Sequence, residues 1–211
     1  SLGGTFMTDK QHTPHTEINK EDNSKLVAWI GKDELGVQQY IDLSTTPLVI
    51  LKDKIGSGHE YFIKSITSRF SNFKVVVVGG NETLYSENTF LSHERKYVLS
   101  GLYNMIQDKT VLNTKALNEP AIFILIDTNN LQESEITHLK AIIKYRSNLE
   151  IYPIFLVDSL TSRFLDVFEE FPKVLHFSVT KIDDERIWGD CMLIDSKNGV
   201  SKLHSILIKK E

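Results

Sequence analysis

The residues best suited to chemistry form a short glycine loop followed by an imidazole and a carboxylate. The segment reads Gly56, Ser57 and Gly58, then His59 and Glu60. An apolar run precedes it and an amphipathic helical pattern follows it, which gives the order strand, loop, helix. That order is typical of a phosphate-binding loop, in which backbone N–H groups and the N-terminus of the helix attract an anion.

The loop nevertheless lacks the groups that hold a nucleotide. Laid on residues 53–60, the pattern G-x-x-x-x-G-K-[ST] matches only at its second glycine, Gly58, and Asp53 stands at the first. His59 replaces the lysine, and Glu60 replaces the hydroxyl that coordinates magnesium. We therefore predict the scaffold of a nucleotide site without its phosphate-binding side chains.

These exchanges predict that ATP and magnesium bind weakly at best. A working loop uses its lysine to neutralise the β- and γ-phosphates. His59 is shorter and carries no permanent charge at pH 7, and Glu60 adds a negative charge. Two like charges about 4 Å apart repel by ~1 kcal/mol in water and ~4 kcal/mol near a protein surface. The sequence leaves open an ordinary strand–turn–helix joint without a ligand, weak nucleotide binding, and turnover by unusual residues.

The surrounding elements predict an α/β domain. Apolar strands are predicted at residues 48–51, 74–78, 121–126, 152–157 and 175–179. Helices are predicted between them, including residues 90–108, 136–143 and 164–171, the last ended by Pro172. This alternation favours crossover connections and a mostly parallel sheet flanked by helices. Ligands bind at the carboxyl ends of such strands, so the glycine loop and Asp127 should share one edge.

The two ends of the chain show different patterns. Two pairs of short strands are predicted, residues 25–30 with 37–43 and, as a terminal β-hairpin, 191–194 with 203–208. Residues 1–24 are polar and rich in small side chains, so we interpret them as a disordered tail or interdomain linker that begins with a cloning remnant. Residues 25–211 are then predicted to form one domain.

Composition narrows the class of protein. The 211 residues carry a formal net charge of −4, which provides no basic field for DNA or RNA. The single cysteine, Cys191, excludes an intramolecular disulfide and suits a reducing cytosol. Together with scattered histidines it also argues against a zinc site. The apolar runs fall well short of the roughly 20 residues that span a bilayer, and no signal peptide opens the chain, so we expect a soluble domain.

Taken in order, these stretches resemble an ATPase domain of the FtsK/SpoIIIE family of P-loop ATPases. The resemblance runs from about Trp29 to the C-terminus. It includes the strand pair, the strand with Gly-Ser-Gly, the second apolar strand ending in aspartate, and Gly189-Asp190 before a short apolar strand. Because its nucleotide-binding motifs are degenerate, the chain is most similar to the C-terminal, third ATPase domain of the EssC/EccC type. Proteins of this type are membrane-bound motors of type VII secretion in Gram-positive and mycobacterial cells.

The resemblance assigns roles to two residues after the strand at 121–126. Asp127 matches the magnesium-ordering aspartate of the Walker B strand, and Thr128 stands where the family has a water-activating glutamate. Threonine is no general base near neutral pH, so no catalytic residue is expected. Asp127 acting only in the turn, or Asp127 and Glu60 holding a metal ion without ATP, are the alternatives; no metal site is predicted.

The implied function is that of a pseudo-ATPase domain at the cytoplasmic face of the membrane, which recognises substrates and regulates export. Its implied partners are small helical secreted proteins of the WXG type, other secretion substrates, and other domains or copies of the motor. No cofactor, nucleic acid or direct membrane insertion is expected. The alternative is a competent ATPase with atypical motifs or a site completed by a neighbouring subunit, and the acidic charge disfavours a DNA translocase.

An aromatic stripe allows two interpretations. Phe164, Phe168 and Phe171 recur at helical spacing and fit a helix face in the core. Because the family captures a short helical signal in a hydrophobic pocket, a groove for a partner helix is the alternative. The basic side chains near the preceding helix fit a solvated face: Lys140, Lys144 and Arg146.

Overall fold

The computed structural model describes residues 26–52, 59–70, 73–79, 89–92, 94–112, 121–126, 128–182, 186–197 and 199–209. The predicted tail at residues 1–24 lies outside this part of the chain. The strands are β1 (Val27–Lys32), β2 (Gln38–Asp42), β3 (Leu48–Lys52), β4 (Lys74–Val78), β5 (Thr89–Ser92), β6 (Ala121–Ile126), β7 (Ile151–Val157), β8 (Lys173–Ile182), β9 (Arg186–Asp195) and β10 (Gly199–Lys209). The helices are α1 (His59–Arg69), α2 (Arg95–Leu112), α3 (Glu133–Lys144), α4 (Arg146–Leu149) and α5 (Ser162–Leu165).

The strands form one ten-stranded sheet in the order β2-β1-β10-β9-β8-β3-β7-β6-β4-β5. The strands from β8 to β5 are parallel neighbours, and those from β2 to β8 are antiparallel. This confirms the predicted α/β architecture with a C-terminal β-hairpin. The antiparallel part is larger than expected because Lys32 of β1 pairs with His204 of β10, so that both hairpins extend the same sheet.

The strand that leads to the glycine loop lies inside the sheet, between β7 and β8. Its side chains alternate between two cores, as the pleat requires. Leu48 and Ile50 pack on the face that also includes Phe62 of α1. Val49 packs on the opposite face with Leu139 of α3. Burial on both faces fixes the position of β3, and therefore of the loop that follows it.

Two predicted helices differ from the structure. The helix expected at residues 90–108 is preceded by strand β5, in which Phe90 pairs with Val76 of β4, and α2 begins only at Arg95. A short apolar run has no periodicity that separates strand from helix. The helix expected at 164–171 is limited to α5, because aromatic spacing cannot distinguish one helix from a short helix followed by turns.

No helix among those described is both long enough and apolar enough to cross a membrane.

Candidate functional site

The glycine loop joins the central strand to the first helix. β3 ends at Lys52 and α1 begins at His59, which confirms the predicted strand before the glycine segment and the predicted helix after it. Four of the predicted loop residues lie outside the described part of the chain: Asp53, Gly56, Ser57 and Gly58. The structure therefore places the two ends of the loop at the carboxyl edge of the sheet, the edge at which the parallel strands end.

His59 is the first residue of α1, and Glu60 is the second. The imidazole of His59 is only 5% exposed. A phosphate-binding lysine must offer a full positive charge to the ligand. A shorter side chain with so little accessible surface cannot make the same contact.

The second predicted motif lies at the same edge. Thr128 follows β6 and is 9% exposed, and Asp127 lies outside the described residues. Strand β7 separates β6 from β3, so the two motifs approach the edge from either side of one strand. At the position implied for the water-activating carboxylate the site therefore has a buried hydroxyl.

The structure adds an ion pair that the sequence did not reveal. Leu51 of β3 pairs with Val157 of β7, and the next residues of the two strands, Lys52 and Asp158, meet across the edge. The ammonium nitrogen Nζ of Lys52 lies 3.0 Å from Oδ1 of Asp158. The amide of Asn129, next to Thr128 in the chain, lies 3.4 Å from Oδ2 of the same carboxylate. Both strands were predicted, but their adjacency was not, so the pair had no sequence signal.

The surroundings of Asp158 favour its ionised form. The hydrogen bond from Lys52 lowers the pKa of Asp158 below its usual range, and partial burial opposes this effect. The charge of Lys52, the hydrogen bond from Asn129 and the charge of His59 lower the pKa further. A carboxylate therefore stands within electrostatic reach of the first residue of α1.

The loop after Thr128 is held by a buried ion pair. The Arg95 guanidinium donates to both carboxylate oxygens of Glu135, at 2.8 and 3.1 Å, and to the carbonyl of Asn129 at 3.1 Å. Glu135, which is 3% exposed, also accepts a hydrogen bond from the Gln132 N–H at 2.8 Å. Burial raises the pKa of Glu135, but the hydrogen bonds and the charge of Arg95 outweigh it, so that the pKa lies below its ordinary value.

A second arginine fixes the same loop from α5. Nε of Arg163 donates to the carbonyl of Leu131 at 2.8 Å. Arg163 also lines a small pocket of about 220 Å³, whose wall includes Thr128, Ser159 and Thr161. In the part of the chain that the structure describes, arginine side chains therefore hold the backbone of the loop after β6 in place.

A much larger groove, of about 910 Å³, lies at the opposite edge of the sheet. Its wall includes Pro47 and Pro172, which directly precede β3 and β8. Its lining includes aromatic side chains, basic side chains from α3 and α4, and acidic side chains from the segment before β8: Tyr103, Tyr145, Phe168 and Phe171; Lys140, Lys144 and Arg146; Asp166, Glu169 and Glu170. We call this feature the amino-edge groove.

The groove corrects two interpretations of the sequence. Phe164 is buried and packs edge-on against Phe155, which confirms the core assignment for that residue. Phe171 is 41% exposed, so the core assignment is wrong there, because the chain leaves the helix after α5. Arg146 does not belong to a solvated face, since its guanidinium donates to the carbonyls of Ile143 at 2.8 Å and Thr45 at 2.6 Å.

Within the described ranges, no group of three or more histidine, cysteine, aspartate or glutamate side chains is placed to hold a metal ion. The alternative of a metal held by Glu60 and Asp127 stays a prediction. Cys191 is buried.

Comparison with known proteins gives matches only at the level of structure. No protein-family model and no curated protein matches the sequence. ATPases 2 and 3 of Thermomonospora curvata EccC, solved in complex with a signal sequence peptide, superpose with a TM-score of 0.62 at 11% identity, over 93% of this chain and 43% of that chain.

Two other solved structures are similar. EssC from Geobacillus thermodenitrificans (ATPases 2 and 3) has a TM-score of 0.57 at 12% identity, over 88% of this chain and 45% of that chain. The pCW3 conjugation coupling protein TcpA, a monomer form with ATPγS, has a TM-score of 0.61 at 10% identity, over 86% of this chain and 66% of that chain. This chain spans less than half of the EccC and EssC structures. The likeness extends over most of the chain, which therefore has the P-loop ATPase fold found in EssC, EccC and TcpA.

Proposed function

We propose that this chain is a non-catalytic ATPase-fold domain of a type VII secretion motor, and that it recognises exported proteins. The observation that carries the proposal is the composition of the carboxyl edge. His59 and Thr128 are both buried, and the motif match assigns them to the positions of the phosphate-binding lysine and of the base.

The chemistry of hydrolysis needs both of these groups. The lysine holds the β- and γ-phosphates, and a positioned base contributes about 10²- to 10⁴-fold to a rate. Neither imidazole nor threonine reproduces these contributions at this edge. The ionised Asp158 adds an unfavourable charge for any phosphate that approaches it.

Recognition is proposed to occur at the amino-edge groove. We assign it one occupant, the short helical signal of a small secreted protein of the WXG type. Amphipathic helices bind in grooves through apolar anchors, and the exposed Phe171 and the partly buried Phe168 supply apolar surface in the groove. The acidic and basic side chains in the lining match a helix that carries both signs of charge. The complex of EccC ATPases 2 and 3 with a signal sequence peptide supports this choice.

The size of the similar proteins supports a place within a larger motor. The solved EccC and EssC structures contain two ATPase domains and are more than twice as long as the matched region. We propose that other domains or copies of the same motor contact this one. The parent protein would be membrane-anchored in a Gram-positive cell, with this domain at the cytoplasmic face.

A competent ATPase with atypical motifs is the second candidate, and TcpA, which has the same fold and was solved with ATPγS, favours it. Isothermal titration with MgATP separates the two. We expect no saturable binding below about millimolar concentration. A micromolar Kd accompanied by phosphate release would overturn the non-catalytic proposal and support the second candidate.

A further inference from the structure

The Lys52–Asp158 pair lies at the end of β3, where the glycine segment begins. Lys52 is the last residue of β3, and His59 is the first residue of α1. The carboxylate of Asp158 is 3.0 Å from the lysine nitrogen and interacts with the charge of His59. In a phosphate-binding loop, the anion lies at the N-terminus of the helix. Asp158 therefore brings a negative charge to the neighbourhood that the phosphates would occupy.

The same contact pairs one of the cations of this edge with a carboxylate. The side chain of Lys52 is 23% exposed, and that of Asp158 is 59% exposed. Asn129 binds the second carboxylate oxygen, so three neighbouring strand ends contribute to the arrangement. A lysine that is already paired with a carboxylate offers little attraction to a phosphate.

We propose that Asp158 is a built-in anion that excludes polyphosphate ligands from the carboxyl edge by occupying Lys52. The proposal deepens and rests on the proposed function, and it adds a determinant outside the glycine loop. It implies that restoring the lysine and hydroxyl of the loop is not sufficient for strong binding, because the carboxylate remains in place.

The alternative is an ion pair with a structural role only. Exposed pairs of this kind contribute little to stability. A structural pair would alter unfolding without any effect on anion affinity. The discriminating readout is therefore the binding of an anion that has no base or sugar.

The test compares two substitutions that change the net charge equally. Inorganic tripolyphosphate, without magnesium, is titrated calorimetrically into the full chain with Asp158→Asn or with Asp108→Asn. Asp108 is an exposed carboxylate on α2 that lines neither the amino-edge groove nor the small pocket at the carboxyl edge, so it controls for the overall charge. We expect Asp158→Asn to bind tripolyphosphate about tenfold more tightly than the wild-type chain or more, since it removes one nearby like charge.

Further variants make the result specific. Asp158→Ser should give the same gain in tripolyphosphate affinity. That result would show that the gain does not come from the new asparagine side chain. Adding Lys52→Gln to Asp158→Asn should abolish the gain, because the released ammonium is then lost. Circular dichroism confirms that each variant is folded.

Equal tripolyphosphate affinity for folded Asp158→Asn and Asp108→Asn, including no detectable binding to either, would overturn the inference and leave the proposed function intact. Tight MgATP binding by the wild-type chain would instead overturn the proposed function.

Discussion

The two edges of the sheet differ in what they leave accessible. At the carboxyl edge, arginine side chains fix the loop after β6, and Lys52 is paired with Asp158. At the amino edge, a groove of about 910 Å³ exposes aromatic rings between charges of both signs. The usual ligand edge of an open α/β sheet is the carboxyl edge. The contrast teaches that the larger accessible groove of this P-loop ATPase fold need not lie at the edge where such sheets usually bind ligands.

The largest effect should come from the buried ion pair that holds the carboxyl edge. Replacing Glu135 by Gln leaves the Arg95 charge without its carboxylate partner. Breaking a buried pair in this way should lower the free energy of unfolding by about 3 kcal/mol, measured by urea denaturation. The matched control is Glu34→Gln, which changes an exposed carboxylate in the turn between β1 and β2. If both variants lose the same stability, the carboxyl edge is not held by this pair.

The next effect concerns the amino-edge groove. Phe171→Ala should weaken binding of the C-terminal signal peptide of a WXG-type protein by tenfold or more, about 1.4 kcal/mol, because buried aromatic anchors dominate such interfaces. Fluorescence anisotropy with labelled peptide provides the measurement. Tyr97→Ala, which removes an aromatic ring that is 71% exposed on α2 and outside the groove, should change nothing. An equal loss in both variants would argue against the groove.

Restoring the lysine and the hydroxyl of the glycine loop tests whether the carboxyl edge can bind ATP. The double substitution His59→Lys with Glu60→Ser should give measurable ATP affinity by calorimetry, since it returns a cation and a hydroxyl. Adding Asp158→Asn should strengthen it further, by about tenfold. The absence of any gain in the double variant would mean that the loop backbone has lost its phosphate-binding geometry.

The smallest effect is a pH dependence of stability. The folded pKa of Glu135 lies below its ordinary value, which is about 4.3. The contribution of ionised Glu135 to the free energy of unfolding is complete above that value. It is lost as the pH falls through the folded pKa, because the unfolded chain takes up the proton first. Urea midpoints between pH 6 and pH 3 should therefore fall less steeply in Glu135→Gln than in the wild-type chain. Parallel curves would contradict the assignment.

The sequence predicted the strands and helices next to the motifs, but it did not predict which side chains meet around them. Local signals were sufficient for β3, for the start of α1 and for the terminal hairpin, because each is determined by neighbouring residues. The Lys52–Asp158 pair depends on β3 and β7 being adjacent, and strand order is set by packing over the whole sheet. Nothing in the local pattern specified it.

The amino-edge groove was also not predicted, because it depends on packing between distant parts of the chain. Its wall combines residues that precede β3 with others from α2, α3 and the segment before β8. Phe171 fits a core pattern in sequence and becomes exposed only because α5 ends at Leu165. Helical spacing indicates which residues could share a face, but it does not indicate where the helix stops.

One measurement tests the division between the two edges most directly. The ¹⁵N-labelled domain is titrated separately with a WXG-type signal peptide and with MgATP, and amide chemical shifts are followed. We predict saturable changes around Phe168 and Phe171 with the peptide, and none around Lys52, His59 and Thr128 with MgATP. Saturable micromolar changes around His59 with MgATP, together with a groove that the peptide leaves unperturbed, would contradict the account.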